Sequence, residues 1–416
     1  MTIPVWPPAG RYRVFDMKYS LSVNLILLTA VIFISTREVD EGRPWARHAI
    51  DASSIGADGA RMSDVNGDGR PDIATAWEEG GLIRIYLNPG PGKAAWPSVT
   101  VGRGGDPEDA VFADLDGDGA IDVVSCAEGA TRGVFVHWAP RDKSKYLDSN
   151  SWETQRIPAV DGRRWMFSLP IRVDGRNGPD LIVGGKDEGA RIGWLESPAD
   201  PRDLAGWVFH PLYDAGWIMS LVAADMDDDG DLDVLATDRK GEKRGVLWLE
   251  RPADPSTAWP VHRIGSVGRD EVMFLDYADL DGDGRRDILV PTREGRLMLY
   301  RKLAGEWRLT DLPFPPIRGG KAVSIGDIDL DGTADIVLTT EQAARSPHVI
   351  WMTHKLSGDL KQWRESDISG QEGSKFDLCP LVDLDGDGDL DVITTEEVGQ
   401  LGLIWYENPL RRPVGR

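Results

Sequence analysis

Six stretches of this 416-residue chain place oxygen-bearing side chains at alternate positions of a short glycine-containing segment. They read DVNGDGRPD from Asp64, DLDGDGAID from Asp114, DMDDDGDLD from Asp225, DLDGDGRRD from Asp279, DIDLDGTAD from Asp327 and DLDGDGDLD from Asp383. Such spacing in a tight loop turns the side chains at positions 1, 3, 5 and 9 toward one centre. Calcium takes six to eight oxygens, and the carbonyl of position 7 can add another. The expected ligands are Asp64, Asn66, Asp68 and Asp72; Asp114, Asp116, Asp118 and Asp122; Asp225, Asp227, Asp229 and Asp233; Asp279, Asp281, Asp283 and Asp287; Asp327, Asp329, Asp331 and Asp335; and Asp383, Asp385, Asp387 and Asp391. Position 6 is always Gly, which permits the sharp turn. The loop is not an EF-hand, which needs Glu at position 12 and a following helix. Four clustered carboxylates repel one another without a cation, so bare turns are a poor account of six copies. A seventh copy, RVDGRNGPD from Arg172, has Arg172 and Arg176 at positions 1 and 5 and keeps only Asp174 and Asp180. A guanidinium there excludes a divalent ion and is expected to pair with a remaining carboxylate. The expectation is about six structural calcium ions.

The seven motifs recur with a period near 50 residues, and two other markers run in phase with them. Trp45, Trp96, Trp152, Trp207, Trp259, Trp307 and Trp363 each precede a motif, most of them opening a short alternating run. An aromatic run such as GLIRIYL, GVFVHW or GLIWY follows each motif. Each repeat therefore supplies four strands and no helical periodicity. Seven four-stranded units at this period call for an all-β fold, a seven-bladed β-propeller. The last unit lacks its Trp-led strand and the first has a spare one at residues 45–50. That phase predicts closure by the N-terminal strand as the outermost strand of the last blade.

The net charge of −22 excludes nucleic acid and anionic membrane surfaces as natural partners. The loop carboxylates are about as numerous as the whole acidic excess, so the rest of the chain is balanced. Two cysteines, Cys126 and Cys379, make neither a disulfide framework nor a zinc cluster. Leu21 to Ile34 carries no charge and is shorter than a spanning helix. With Lys18 before it, and with Met17 as a possible start, it reads as an export signal or a short anchor. The expected organisation is an N-terminal extension and signal over 1–40, the propeller over 41–410 and a tail over 411–416. The expected location is secreted, periplasmic or cell-surface.

Repeated DxDGDGxxDI/V loops joined by short strands resemble FG-GAP/VCBS-type repeat proteins, over about residues 45–409. The FG-GAP dipeptides themselves are absent. The resemblance implies a calcium-binding propeller like the head of integrin α chains, acting in adhesion or ligand binding. It also implies an alternative, since the same fold carries some polysaccharide lyases.

If the Asp loop joins the two innermost strands, the segments entering the innermost strand line the opposite axial face. Eight residues before each motif stand Gly56, Asp106, Arg164, Trp217, Glu271, Gly319 and Lys375; six before stand Asp58, Glu108, Met166, Met219, Met273, Lys321 and Asp377. This unequal ring is where a repetitive scaffold varies. Arg163, Arg164, Trp165, Trp217, Arg269, Arg318, Lys321 and Lys375 are the candidate ligand residues there. Cations beside aromatics suit an anionic sugar or acidic peptide. The expected partner is thus a protein or glycan, met by a monomer. His48, His210 and His262 recur at one strand position and read as scaffold. No GxSxG or HExxH motif appears, and no catalytic residue is assigned. A lyase would have Tyr277, Lys321 and Lys375 to draw on.

Overall fold

The aspartate motif falls on the boundary between two strands. In the computed structural model, which describes residues 43–93, 95–303, 305–315, 319–341, 347–354 and 362–410, strand β1 spans Ala46–Asp51 and β2 spans Ala57–Ser63. Strand β2 stops one residue short of Asp64, and β3 (Asp72–Trp77) begins on the ninth position of the motif. β4 (Leu82–Tyr86) and β5 (Ser98–Arg103) complete a four-stranded antiparallel sheet in the order β2-β3-β4-β5. The second strand is buried along its whole length and the outermost strand alternates, as expected for a blade packed on both faces.

This unit repeats to give seven four-stranded sheets among the described residues. The fold is an all-β seven-bladed propeller. The innermost strands of successive blades adjoin one another around the axis. The seventh sheet is built from both ends of the repeat array: Leu381–Val382, Asp391–Glu396, Gly402–Glu407 and, outermost, β1. β1 runs antiparallel to Gly402–Glu407, with Ala46 opposite Glu407 and His48 opposite Trp405. Leu21–Ile34 and the tail from residue 411 lie outside the described residues, and no described helix is long and apolar enough to cross a membrane.

The recurrent histidines lock the outer hairpins. His48 stacks on Trp405, His210 on Trp194 and His262 on Trp248, with ring centroids 4.4, 4.5 and 4.1 Å apart. Each also bonds a glutamate through Nε2: Glu407 at 2.8 Å, Glu196 at 2.9 Å and Glu250 at 2.7 Å. Each His sits directly opposite its Trp across the strand pair. These rings are scaffold.

His137, in blade 2, is of another kind. It is fully buried between the hydroxyls of Ser125 and Thr154, each 2.9 Å away, and burial lowers its pKa to about 3. The unfolded chain binds a proton near pH 6.5 at this residue that the folded chain refuses, so the contribution of His137 to stability falls as pH drops below about 6.5. The loss by pH 5 is about 2 kcal/mol. His137→Gln should flatten this acid limb in a plot of melting temperature against pH. A limb of unchanged slope in the variant would exclude His137 as its source.

Candidate functional site

Each aspartate loop is a nest of backbone amides around its own carboxylates. In the first, Asp64 accepts from the amides of Gly67, Asp68 and Gly69 at 2.8 to 3.0 Å. Asn66 accepts from Asp68, and Asp68 from Arg70. The glycine at position 6 takes a positive φ in all six loops, from 83° to 96°. Position 4 is left-handed as well, even where it is Asp228 (φ 67°) or Leu330 (φ 59°). A non-glycine residue held there is strained, and only the closed loop requires it.

Position 9 does more than sequence spacing suggests. One oxygen of Asp72, Asp122, Asp233, Asp287, Asp335 and Asp391 accepts the amide of position 2 in its own loop. In four of these blades the other oxygen accepts an amide just past the third strand, as from Asn88 to Asp72 at 2.8 Å. Asp180 of the third blade makes both bonds too, from Val173 and Ser197, although its loop has lost two acids. Position 9 therefore closes its own loop in all seven blades and clamps the following hairpin in five of them. Each of its oxygens keeps a second lone pair for an ion. Burial pushes these carboxyls up, Asp72 and Asp233 to about 6, Asp122, Asp287 and Asp335 to about 7 and Asp391 to about 8.

The loops fit a hard cation. Carboxylate oxygens of Asp114, Asp116 and Asp122 lie within 4.8 Å of one another, as do those of Asp225, Asp227 and Asp229, and of Asp279, Asp281 and Asp287. Asp114 Oδ1 and Asp335 Oδ1 are buried without a hydrogen-bond partner. The third loop differs as its sequence requires. Arg176 Nε reaches Asp174 Oδ2 at 2.7 Å, pairing with one of the two acids the loop keeps. Arginines also pair with acids of intact loops, such as Arg141 with Asp118 at 2.7 Å and Arg301 with Asp281 at 3.2 Å.

The opposite axial face is built on a second sevenfold pattern, which sequence reasoning missed. The residue fourteen places after each motif start is charged in every repeat: Glu78, Glu128, Lys186, Arg239, Arg293, Glu341 and Glu397. Its amide donates to the carbonyl of Gly56, Asp106, Arg164, Trp217, Glu271, Gly319 or Lys375 respectively, at 2.6 to 3.1 Å. A single backbone bond thus pins each of the seven entry segments. Five of the innermost strands shift register near this point, re-aiming the side chains at the mouth. The ring is divided by sign. Blades 6, 7, 1 and 2 contribute Glu341, Glu397, Glu78 and Glu128; blades 3, 4 and 5 contribute Lys186, Arg239 and Arg293. Below the basic half lie Met166, Met219 and Met273, buried in an apolar cluster with Phe167 and Phe274.

The candidate ligand residues fare unequally. Trp217 holds the centre of the basic half, with Lys186, Arg239 and Lys240 over its ring at 4.5, 4.8 and 4.1 Å. Its indole nitrogen is buried without a partner. Arg164 pairs with Asp187 at 2.6 Å, and Arg163 donates to the carbonyl of Gly189 at 2.8 Å. Arg269 is exposed and touches the group through its carbonyl, which accepts from Arg244. Lys375 pairs with Glu397, and Lys321 is buried 3.9 Å from Glu341. Trp165 is a correction: it is fully buried, donates to the carbonyl of Val160 and packs on Phe209, so it offers nothing to a ligand. Arg318 lies outside the described residues.

A family of FG-GAP-like repeats matches residues 64–125 and 279–338. The propeller carries FG-GAP-like repeats. The two matched spans hold the first and second aspartate loops and the fourth and fifth intact ones. Among solved structures, the propeller is similar to the one described as the crystal structure of BBS1N in complex with ARL6DN, soaked with mercury. The TM-score is 0.53 and the identity 11%, covering 89% of this chain and 98% of that one. That likeness is one of fold. No curated protein is significantly similar in sequence.

Proposed function

We propose that the protein is an exported binding or adhesion module whose blades are held by structural Ca²⁺ in six loops, and whose ligand, a protein or glycan, sits at the axial mouth facing away from those loops. The observation that carries this reading is the contrast between the two faces. The loop face repeats one arrangement around the ring, while the mouth varies in sign, size and aromaticity at structurally equivalent positions. A backbone held constant by one hydrogen bond per blade, with a different side chain on each, is how a repeat scaffold encodes specificity.

The test is glycan- and peptide-array binding by the calcium-loaded protein. Trp217→Ala and Arg239→Ala should each remove the captured signal; because Arg239 is buried and paired with Glu271, Lys240→Ala, which removes a cation from the same Trp217 face at a partly exposed position, is the variant expected to lose capture with a stability cost of about 1 kcal/mol or less. Capture that survives all three substitutions would move the ligand off the mouth.

A further inference from the structure

The loop of blade 2 differs from the other intact loops in what meets its carboxylates. The amide of Asp118 donates to Asp116 Oδ1 at 3.1 Å, and the amide of Ala120 to Asp118 Oδ1 at 2.8 Å. Positions 3 and 5 each give one oxygen to the turn and keep Oδ2 for a cation. Here both Oδ2 atoms carry a guanidinium. Arg202 Nε lies 2.5 Å from Asp116, and Arg141 Nε 2.7 Å from Asp118. Arg202 also reaches toward Asp118 Oδ2, at 3.9 Å through its Nη2. The two acids are 7% and 6% exposed, so solvent screens these pairs little.

Blade 6 shows the opposite case. The same two amide bonds form there, from Asp331 to Asp329 Oδ1 and from Thr333 to Asp331 Oδ1. Among the described residues, no cation forms an ion pair with Asp327, Asp329, Asp331 or Asp335. The remaining loops fall between these limits. In blade 5, Arg301 and Arg285 stand farther off, at 3.2 and 3.3 Å, over acids that are 18% and 35% exposed. In blade 1 only Arg70, of the same loop, pairs with Asp68. In blade 4, Arg251 pairs with Asp231 at position 7, outside the four ligating side chains.

Arg202 comes from blade 3. Its amide donates to Asp200 Oδ1 at 3.1 Å, in the turn that leads to that blade's outermost strand, and its guanidinium lies 4.6 Å over the ring of Trp138 in blade 2. We infer that the blade 2 loop is an exchangeable, calcium-sensing site, the last of the six to fill, with Arg202 and Arg141 setting its affinity. Calcium arriving at Asp116 and Asp118 meets two positive charges or must displace them, and either lowers its affinity. Displacement also frees the turn of blade 3 from the loop of blade 2, so calcium concentration is read out at the seam between these blades. This inference rests on reading the loops as calcium sites and adds a graded response to their structural role.

The full chain, stripped of metal, is titrated with Ca²⁺ against a competing chelating indicator. The last equivalent should bind at least about tenfold more weakly than the one before it, the cost of displacing one charge-assisted hydrogen bond. Asp116→Asn should remove that equivalent and leave the five tighter ones. Arg202→Gln and Arg141→Gln should each tighten it by about tenfold, by the same reasoning. Arg202→Lys, which keeps the charge, should leave it weak. In nuclear magnetic resonance spectra, the Nε–H signal of Arg202 should shift with the last equivalent and not with the earlier ones. The Arg141 side chain is mostly exposed, so Arg141→Gln tests the charge without disturbing the fold. Three results would overturn the inference: six equivalents of equal affinity, a weakest equivalent that survives Asp116→Asn, or one unchanged in both glutamine variants. Each of these leaves the calcium loops standing. A chain that binds no Ca²⁺ at all would remove both readings.

Discussion

Chelation at neutral pH is expected to lower the melting temperature by about 10–20 °C, and restoring Ca²⁺ to recover it. The size follows from mass action. One site occupied at ten times its dissociation constant contributes about 1.4 kcal/mol, so six contribute about 8 kcal/mol. That rivals the entire stability of an ordinary domain. The loops are placed to transmit it, because the buried carboxylate at position 9 ties its loop to the second and third strands. The effect also has a pH signature. Asp391, Asp122, Asp287 and Asp335 titrate at about 7 to 8 in the folded chain, raised by burial above the unfolded value near 4. The metal-free protein therefore holds more protons than its unfolded form, and its stability falls as pH rises from about 4 to 8. Calcium needs the same carboxyls ionised. The gap in melting temperature between loaded and stripped protein should widen from pH 5 to pH 8. Titration of stripped protein should end near six equivalents, because the third loop keeps only Asp174 and Asp180 and pairs Asp174 with Arg176. Seven equivalents, or a melting curve indifferent to chelator, would refute the structural role.

Much of this was legible in sequence because the informative contacts are local. An aspartate loop closes within nine residues, so its spacing alone states its shape. The in-phase Trp and aromatic runs fix four strands per unit, and Arg172 and Arg176 mark the third loop as the exception. The mouth was legible only in part. The entry segments could be counted back from each motif, but the charged residue bonded to each lies on the far side of a strand and loop. Its side chain belongs to no motif. Aligning the seven repeats on their first aspartate would have exposed it as a column that is charged in every copy. Without that column the basic candidates looked like an anion site. With it, Lys375 and Lys321 become companions of Glu397 and Glu341. Trp165 misled for a different reason: a Trp beside two arginines reads as a binding surface, and only the fold shows that it points into its own blade. The clamp at position 9 was hidden because its amide partners past the third strand come from a hairpin whose loops vary in length.

Excising residues 44–51 should be the most damaging small deletion in the described chain, because β1 joins three blades. It pairs along Gly402–Glu407 in blade 7, and His48 stacks on Trp405. Trp45 sends its amide to the carbonyl of Ile368 at 3.0 Å and packs edge-on against Trp351, both in the blade 6 region. Asp51 accepts from Arg84 and from the Tyr86 hydroxyl of blade 1, each at 2.7 Å. A buried Trp contributes about 3–5 kcal/mol on truncation to Ala. Leaving a buried Tyr hydroxyl and an Arg without their acceptor adds about 1–3 kcal/mol. The sum reaches the scale of net stability. The deletion also exposes the edge of Gly402–Glu407, an unpaired template for association. The expected product is a chain that melts at least about 10 °C lower and forms higher oligomers on size exclusion. A synthetic peptide of residues 43–52 added in trans should recover part of the loss by pairing at the same edge. Trp45→Ala and Asp51→Ala divide the effect between blades 6 and 1. A deletion variant that melts with wild type, and stays monodisperse without the peptide, would mean that the ring does not depend on this strand.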